Sequence, residues 1–265
     1  MPEGHTIHRA ARDQRRMLAG KTLGVSSPQG RFAAGAATLD GMTCTGVEAY
    51  GKHLLYLFGH EVALHIHLGL FGRFRTARIP AAMPRGAVRV RLLSPTHVVD
   101  INGPNNCEVL DAEGMAALVG RIGPDVLRPD ADKECAWLRI HKSRAAFGQL
   151  LMDQKVMAGV GNIYRTELLW RARLHPLTPG NKISRAAFDA VWDDAVRLLQ
   201  IGVDNNAIIT VDNVKKSRSR YGERVNIFGK AACPLCNGKI GKFELAARRV
   251  FVCQTCQPAS VASLS

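Results

Sequence analysis

The chain has 265 residues, and 46% of them are hydrophobic, which is enough for a packed core and too many for a disordered tail. Lys and Arg total 36 against 22 Asp and Glu, a net charge of +14, which predicts an anionic partner; nucleic acid fits better than a membrane surface. No apolar run approaches the ~20 residues that cross a bilayer, and the charged N-terminus lacks a signal-peptide core. We therefore expect a cytoplasmic, nucleoid-associated protein without a membrane partner.

The chain begins Met1-Pro2-Glu3-Gly4. Removal of Met1 would leave Pro2 with a free secondary amine, which condenses with an aldehyde-like carbon to give an iminium, a strong electron sink. An α-amino group titrates near pH ~7.7–8.0, so roughly a tenth to a fifth of it is nucleophilic at neutral pH. The alternative is that Met-Pro is an ordinary chain start, and Pro2 alone does not decide between the two.

The N-terminal half predicts one helix followed by short strands. His5–Leu18 has a helical apolar stripe, and Gly20 is a suitable stop. From Thr22 to about Ile101 the pattern becomes alternating, with four clear segments at His53–Phe58, Val62–His67, Val88–Leu92 and His97–Ile101. Turn residues between the segments indicate a β-sandwich or a barrel.

The second half predicts mainly helices. After a connector around Gly123–Asp132, apolar residues at Phe147–Leu151 and Ile163–Leu169 indicate two helices, interrupted by Ala158-Gly-Val-Gly-Asn162. A third helix begins after Ser184, which is a favourable N-cap. The stretch Asn213–Arg224 is either a basic binding loop or a merely solvated charge run; its basic residues are Lys215, Lys216, Arg218, Arg220 and Arg224.

The C-terminal segment carries the strongest spacing signal. Cys233 and Cys236 form one C-x2-C knuckle, and Cys253 and Cys256 form a second one 16 residues further on, a length that suits a two-stranded hairpin. Four thiolates predict one structural Zn²⁺ with no open position for metal catalysis. The alternative, a pair of disulfides, conflicts with an intracellular protein. Cys44, Cys107 and Cys135 have no partner spacing and are interpreted as ordinary core or surface residues.

Four segments occur in an order that resembles the formamidopyrimidine-DNA glycosylase/endonuclease VIII family of base-excision repair enzymes: Met1–Gly4, Gly51–His53, Met157–Tyr164 and the zinc ribbon with Arg248. The resemblance covers nearly the whole chain. It implies an α+β fold, with an N-terminal helix and β-sandwich at 1–130, a helix–two-turn–helix domain at 131–225 and a zinc-finger hairpin at 226–265. In that family, damaged duplex DNA lies in the cleft between the two halves.

The resemblance assigns four catalytic residues. Pro2 would attack C1′ of the damaged nucleotide, and Glu3 would donate a proton to the departing base or sugar oxygen. Without the resemblance, Glu3 would be read as a partner of the helix dipole. Lys52 matches the lysine assigned to β-elimination and phosphate contact, and Arg248, beside Arg249 near the hairpin tip, matches the arginine that grips phosphate and assists the second elimination.

The resemblance also assigns DNA contacts. Asn162, with the backbone amides of the Gly159–Gly161 turn, would hold the phosphate beside the lesion, although this segment also reads as a plain helix-breaking turn. His67 matches another phosphate ligand, where a lone strand histidine would ordinarily fill the core. Lys155 and Arg121 are further phosphate-contact candidates.

An extruded base leaves a gap that must be filled. Leu70 aligns with the family's intercalating residue and Phe71 supplies a second wedge; both would otherwise be read as buried strand residues.

The choice of branch rests on what the chain lacks. The 8-oxoguanine-excising branch has a Pro-Arg-Arg-Phe-Gly loop, whereas this chain has Pro104-Asn-Asn-Cys107 at the matching place. The absence of that loop argues against the 8-oxoguanine branch. The start Pro-Glu-Gly and the segment Tyr164–Trp170 resemble the endonuclease VIII-like branch, which prefers oxidised pyrimidines. Two positions depart from the family: Thr6 replaces a second glutamate, and Gly69 stands where endonuclease VIII often has glutamine.

The sequence therefore predicts a monomeric, bifunctional DNA glycosylase and AP lyase that acts on oxidised pyrimidines in duplex DNA. Within the same class, a preference for oxidised purines or abasic sites stays open. A non-catalytic damaged-DNA binder would keep the ribbon and the cleft. An RNA or chromatin zinc-ribbon protein would explain the charge and the cysteines, but not Pro2 together with Lys52.

Overall fold

The computed structural model describes residues 2–59, 61–212 and 220–259. These fall into two compact units, Met1–Arg121 and Ile122–Ser265. Met1 and most of the predicted basic loop, including Lys215, Lys216 and Arg218, lie outside the described residues. In the part of the chain that is described, no helix has the length and apolar character needed to cross a membrane.

The N-terminal unit contains three helices and nine strands among its described residues. The helices are α1 (Gly4–Leu18), α2 (Ala33–Leu39) and α3 (Ala112–Gly120). The strands are β1 (Lys21–Thr22), β2 (Gly24–Ser26), β3 (Thr43–Tyr50), β4 (His53–Phe58), β5 (Val62–His67), β6 (Arg73–Arg78), β7 (Val88–Leu93), β8 (His97–Asn102) and β9 (Asn106–Leu110).

Two antiparallel sheets form the sandwich that the alternating segments predict. The first sheet has the order β1-β3-β4-β5-β9 and the second has the order β2-β7-β8-β6. Their apolar faces share one core, which Tyr56, Leu64, Val90 and Ile101 help to fill together with Ile7 of α1. Alternate residues of the strands face this core, as the period of a β-strand requires. The predicted helix and sandwich are confirmed.

The C-terminal unit is helical and ends in a hairpin. Its helices are α4 (Lys133–His141), α5 (Phe147–Leu150), α6 (Asn162–Arg171) and α7 (Arg185–Asn205), with single 3₁₀ turns at Gly180–Lys182 and Tyr221–Arg224. Ser184 caps α7, since its side chain accepts a hydrogen bond from the Ala187 amide. Strands β10 (Ile240–Leu245) and β11 (Arg248–Cys253) form the hairpin.

Helix α6 is the centre of the C-terminal unit. Every residue from Val156 to Trp170 is buried, so α6 is enclosed on all sides although it carries Arg165 and Glu167. A helix that is buried all round is normally apolar, and its charged residues therefore need complete sets of partners.

Candidate functional site

Helix α1 brings the N-terminus to one end of the sandwich. The Gly20 amide bonds to Cys44 at the start of β3, and the Arg15 Nε and Nη2 atoms donate to the Val47 carbonyl at 2.9 and 2.6 Å. α1 therefore runs antiparallel to β3. From Arg15 back to Pro2 the helix spans about 20 Å, and from Val47 to Lys52 the strand spans about 16 Å, so both arrive at the same end.

Pro2 and Glu3 precede the first turn of α1. Pro2 is half-buried and Glu3 is fully buried, at 0% exposure. Glu3 occupies the N-cap position, but its side chain makes no capping hydrogen bond to the helix. The carboxyl group is thus held inside the protein without being used to cap α1, an arrangement compatible with the predicted proton donor.

Lys52 lies in the tight turn between β3 and β4. Tyr50 pairs with His53, which leaves Gly51 and Lys52 as a two-residue hairpin loop. Gly51 has φ +58°, a conformation that favours glycine at the first central position of such a turn. The Gly-Lys-His motif is therefore a turn that presents the half-buried Lys52 at the end of the sheet.

Three histidines and a glutamate lie beside Lys52. His53 pairs across the strands with His67, and their ring centroids are 4.9 Å apart. His53 Nδ1 lies 2.9 Å from His65 Nε2, and His65 Nδ1 lies 2.8 Å from the Glu108 carboxylate. We call Glu108, His65 and His53 the histidine relay.

The relay fixes the tautomers of its neutral rings. The Glu108 carboxylate only accepts, so His65 Nδ1 carries the proton and His65 Nε2 is left as an acceptor. His53 Nδ1 must then donate to His65 Nε2, which leaves His53 Nε2 without a proton. The ring adjacent to Lys52 thus presents a hydrogen-bond acceptor.

Burial keeps these rings neutral. Burial first, followed by His67, His65, Arg121 and Lys52, lowers the pKa of His53 to about 3. Burial also lowers the pKa of His65, although Glu108 opposes the shift. The pKa of His67 is lowered by burial, His65 and Lys52. Since cationic Arg121 acts on both His53 and His65, it belongs to the same end of the sandwich.

The predicted wedge residues follow His67 directly. Leu70 is 42% exposed and Phe71 is 90% exposed, so neither is the buried strand residue that the alternative interpretation required. Gly69 has φ +65°, and a Cβ there would lie 2.8 Å from that of Asn105. The tight contact joins the wedge loop to the β8–β9 turn, where the Asn105 amide bonds to the His67 carbonyl.

In the C-terminal unit, α6 clamps the tip of the hairpin. The Asn162 amide group donates to the Arg249 carbonyl at 2.9 Å, and its oxygen accepts from Arg165. Arg165 also donates to the Leu245 carbonyl at 3.0 Å and to the Arg248 carbonyl at 3.4 Å, one on each side of the turn. Asn162, only 5% exposed, therefore contacts the strand that carries Arg248.

The tip itself is a strained turn. Leu245 pairs with Arg248, so Ala246 and Ala247 form a two-residue loop, with φ of +54° and +55°. Such a turn normally contains Asn-Gly or Asp-Gly. Arg248 is the first residue after it and is half-buried, whereas Arg249 is exposed.

Glu167 fixes the segment that leads into the hairpin. Its fully buried carboxylate accepts from three consecutive backbone amides, Asn226, Ile227 and Phe228, at 2.7 to 2.9 Å. The Thr210 hydroxyl donates to it at 2.6 Å. This set of donors satisfies the buried charge.

Lys155 and the glycine turn lie just before α6. Lys155 is exposed, and its carbonyl accepts from Arg139. Within the turn, the Gly159 amide donates to the Gln154 side chain at 3.1 Å, and Gly159 has φ +89°. Gln154 therefore holds the turn that precedes Asn162.

The four ribbon cysteines come together, with their sulfur atoms within 4.8 Å of one another. Cys233 and Cys256 are 3.8 Å apart and Cys236 and Cys253 are 3.5 Å apart, all as free thiols rather than disulfides. Tetrahedral zinc with Zn–S bonds of ~2.3 Å requires sulfurs about 3.8 Å apart.

The chemistry of the sulfurs also fits a cation. Burial raises the pKa of Cys233, but the Leu235 and Cys236 amides and the Trp170 indole lower it, to about 6 overall. Burial and the other three sulfurs raise the pKa of Cys256 to about 12. Four thiolates cannot accumulate here on their own, and a divalent cation would remove the conflict.

Sequence reasoning missed the residues that support these groups. His65, Glu108, Arg165 and Glu167 received no role, although Arg165 and Glu167 lie in the segment that carried the resemblance. Charged residues inside an otherwise apolar helix were the available signal for the latter pair. His65 and Glu108 become neighbours only through the register of β5 with β9.

Known proteins match both units. A family model described as the formamidopyrimidine-DNA glycosylase N-terminal domain matches residues 1–104, and a model described as the H2TH domain of the same enzyme matches residues 122–213. Endonuclease 8 1 of Mycobacterium tuberculosis is 43% identical over 267 residues, covering 97% of this chain and all of that protein.

The chain belongs to the formamidopyrimidine-DNA glycosylase/endonuclease VIII family. Members of this family are DNA glycosylases with AP lyase activity. Formamidopyrimidine-DNA glycosylase of Latilactobacillus sakei is 27% identical and covers 97% of this chain and 98% of its own length.

Solved structures of the family share the fold. The Lactococcus lactis Fpg in complex with abasic-site DNA matches with a TM-score of 0.81 at 21% identity, covering 97% of this chain and all of that one. MutM in complex with DNA containing carbocyclic 8-oxo-G matches equally well, with a TM-score of 0.81 at 21% identity, 97% of this chain and all of the other.

Proposed function

We propose that this protein excises oxidised pyrimidines from duplex DNA as a monomeric, bifunctional glycosylase and AP lyase, with the Pro2 amine as the nucleophile. The observation that carries the proposal is the convergence of the start of α1, the Gly51–Lys52 turn and the exposed Leu70 and Phe71 at one end of the sandwich. A nucleophile, a cation for phosphate and a wedge are the parts that chemistry on an extruded nucleotide requires.

The reaction follows from these parts. The Pro2 nitrogen forms a bond to C1′ while the bond from C1′ to the base breaks, and the buried Glu3 supplies a proton to the departing base or to the sugar oxygen. Opening of the sugar gives an iminium, which acidifies the C2′ proton. Loss of that proton expels the 3′ phosphate, and a second elimination expels the 5′ phosphate. Lys52 would assist the first elimination and Arg248 the second.

The oxidised-pyrimidine preference is supported by two observations. Full-length identity is 43% to an endonuclease 8 and 27% to a formamidopyrimidine-DNA glycosylase. In addition, Asn105 of the β8–β9 turn and Asn106, the first residue of β9, lie beside the wedge and cannot supply the guanidinium or the aromatic ring of the loop in the 8-oxoguanine branch.

The DNA contacts are proposed for each unit separately. His67 and Arg121 would bind phosphate from the N-terminal unit, and Asn162 and Lys155 from the C-terminal unit. In the described structure the Asn162 amide group already holds the Arg249 carbonyl, so phosphate binding would use its remaining N–H or exchange that contact.

One structural Zn²⁺ would be held by Cys233, Cys236, Cys253 and Cys256. When bound, it supplies no reaction step and joins the two ends of the hairpin that carries Arg248. Cys236→Ser should weaken DNA binding and hairpin folding without touching Pro2. Binding of duplex as tight as wild type would contradict this role of the ribbon.

The deciding experiment is borohydride trapping on duplexes that contain dihydrouracil, 8-oxoguanine or a plain abasic site. Mass spectrometry first establishes that Met1 is absent. Pro2→Gly exchanges the secondary amine for a primary one, and an extra N-terminal residue blocks the amine altogether. We expect the strongest adduct with dihydrouracil, a reduced one with Pro2→Gly and none with the extended protein.

Each other outcome names a different function. Stronger trapping with 8-oxoguanine would move the enzyme to the oxidised-purine preference, and trapping at the abasic site alone would make it a lyase. Absence of any adduct, with lesion binding intact, would leave a non-catalytic damaged-DNA binder. Size-exclusion chromatography with light scattering tests the monomer.

A further inference from the structure

The second sheet of the N-terminal unit has an unusual charge pattern on the face away from the core. Residues 62–99 contain no Asp or Glu, yet they contain six arginines and no lysine. Phe74, Val90 and Val99 point into the core. By alternation, Arg73 and Arg75 of β6, and Arg89 and Arg91 of β7, therefore lie on the outer face.

Among β6, β7 and β8, one acidic residue, Asp100, lies on the outer face, and its charge is already paired. Asp100 of β8 stands between Arg75 and Arg91 in the register of the sheet. Arg91 Nε lies 2.9 Å from its carboxylate, and Arg91 also donates to the Ala82 carbonyl at 2.7 Å. Within the described ranges, Arg73, Arg75 and Arg85 have no carboxylate partner.

A cavity opens beside these arginines. Residues 79–87 fold back over the sheet, held by Asn102, which donates to the Arg85 carbonyl at 3.3 Å. The cavity between this segment and the sheet has a volume of about 370 Å³ and is lined by Arg75, Arg85, Arg91, Asp100, Val98 and Met83. Guanidinium groups that are not paired with carboxylates suit phosphate oxygens, which they bind bidentately.

One residue that lines the cavity, Arg75, lies close in sequence to the wedge residues Leu70 and Phe71. Arg75 follows Phe71 by four residues, and because Phe71 lies in a turn before β6, the chain between them spans up to about 13 Å. A DNA strand advances ~3.4 Å per nucleotide, so this distance corresponds to about four base pairs.

We propose that Arg75 and Arg85 form a second phosphate site, which holds the DNA backbone about four base pairs from the wedge. The proposal rests on the proposed function, because it takes the wedge as the reference point on DNA. The source of the phosphate is the same DNA molecule. A free phosphorylated small molecule offers the same oxygens and is the competing source.

The test compares duplexes of different length. Fluorescence anisotropy measures binding to a duplex with an abasic-site analogue and about three base pairs on each side, and to one with about ten. The variant is Arg75→Gln/Arg85→Gln, and the matched control is Arg16→Gln/Arg31→Gln, which removes two other exposed arginines of the same unit. Thermal unfolding of each variant verifies that it is folded.

We expect the variant to lose affinity on the long duplex alone. Loss of two phosphate contacts should reduce the slope of log K against log salt by about 1.8. An equal change of the slope in the control variant would show that the effect comes from net charge alone. An affinity loss of the same size on the short duplex would assign the arginines to the lesion site. Either result overturns the proposal, as does an unchanged slope.

A second binding experiment, with labelled ATP in place of DNA, identifies the source of the phosphate. Labelled ATP that binds wild type but not the variant, while long-duplex binding is equal in both, would assign the cavity to a free ligand and overturn the DNA assignment. Failure of the proposed function is separately visible: without borohydride adducts, a length-dependent defect of the variant still supports the second site as a DNA contact.

Discussion

The two units keep buried titratable groups in opposite ways. At the end of the N-terminal sandwich, the rings of His53, His65 and His67 are kept neutral, and burial is the largest cause of each lowered pKa. In helix α6 of the C-terminal unit, Arg165 and Glu167 are fully buried, and each makes several hydrogen bonds, Arg165 to carbonyls of the hairpin and Glu167 to Thr210 and three backbone amides. The three histidine rings carry no charge, whereas the charged pair of α6 is surrounded by donors and acceptors.

The difference suits what each region has to hold. A neutral relay beside Lys52 adds no like charge that would repel the lysine ammonium. The charged residues of α6 instead gather backbone groups from distant segments, since Glu167 binds amides about 60 residues away and Arg165 binds carbonyls on both sides of the hairpin turn. Neutral rings thus set electrostatics locally, and buried charges fix long-range geometry.

The largest effect is expected from Glu167→Ala. The substitution leaves three backbone amides and the Thr210 hydroxyl buried without their acceptor, so the free energy of unfolding should fall by about 3–5 kcal/mol. Urea denaturation measures it. The control is Glu134→Ala in the same unit, where the pair with Arg185 is about half exposed and removal should cost less than about 1 kcal/mol. Equal losses would contradict the role given to the α6 carboxylate.

Acidification should destabilise the end of the N-terminal sandwich that contains His53, His65 and His67. The histidine rings are harder to protonate in the folded chain than in the unfolded one, so below pH ~6.5 the unfolded state binds more protons. The stabilisation that comes from the neutral rings is therefore complete above that pH, and it is lost as the pH falls toward the pKa values of the rings in the folded chain. We expect a loss of about 1–3 kcal/mol between pH 7 and 5.5, measured by urea denaturation.

Substitution of one ring checks this assignment. His53→Gln should flatten the pH dependence, because its pKa of about 3 is among the most strongly shifted. His141→Gln, at an exposed position of the C-terminal unit, is the control and should leave the slope as in wild type. If both variants keep the wild-type slope, the acid sensitivity lies elsewhere. Amide exchange at pH 5.5 should localise the early opening to β4 and β5.

Much of the scaffold was predictable because its signals are local. The alternation of β4, β5, β7 and β8, the amphipathic α1 and the Ser184 cap of α7 all appear within a few consecutive residues. Helix α2, only seven residues long and falling among the predicted strands, is too short for its periodicity to be visible.

The supporting residues of the site were not predictable in the same way. The partners of His65 depend on strand register, and those of Glu167 on the tertiary course of residues 210–228. Charges on a helix ordinarily indicate a solvated face, whereas Arg165 is fully buried. The proposed roles of Pro2, Lys52 and Arg248 came from the family resemblance and stay predictions.

A smaller effect is expected at the outer end of the relay. Glu108 is 47% exposed while its partner His65 is 1% exposed. Glu108→Leu removes the acceptor that fixes the relay tautomers and should cost about 1 kcal/mol. Imidazole ¹⁵N NMR should then show mixed tautomers for His65 and His53. Glu108→Gln keeps an acceptor oxygen and should retain the wild-type tautomers; mixed tautomers in that variant, or single ones in the leucine variant, would contradict the relay.

The smallest effect separates the two hairpins that carry the proposed lyase residues. The turn before His53 uses Gly51 for its positive φ, whereas the turn before Arg248 places Ala246 and Ala247 there. An alanine in this conformation costs roughly 1–2 kcal/mol, part of which glycine returns as unfolded-chain entropy. Ala247→Gly should therefore stabilise the C-terminal unit by about 0.5–1 kcal/mol in thermal unfolding. Ala190→Gly, exposed within α7, should have the opposite sign and cost about 1 kcal/mol. If Ala247→Gly is destabilising as well, the hydrogen bonds from Asn162 and Arg165 to the hairpin depend on the alanine turn. The strained backbone would then serve to position Arg248.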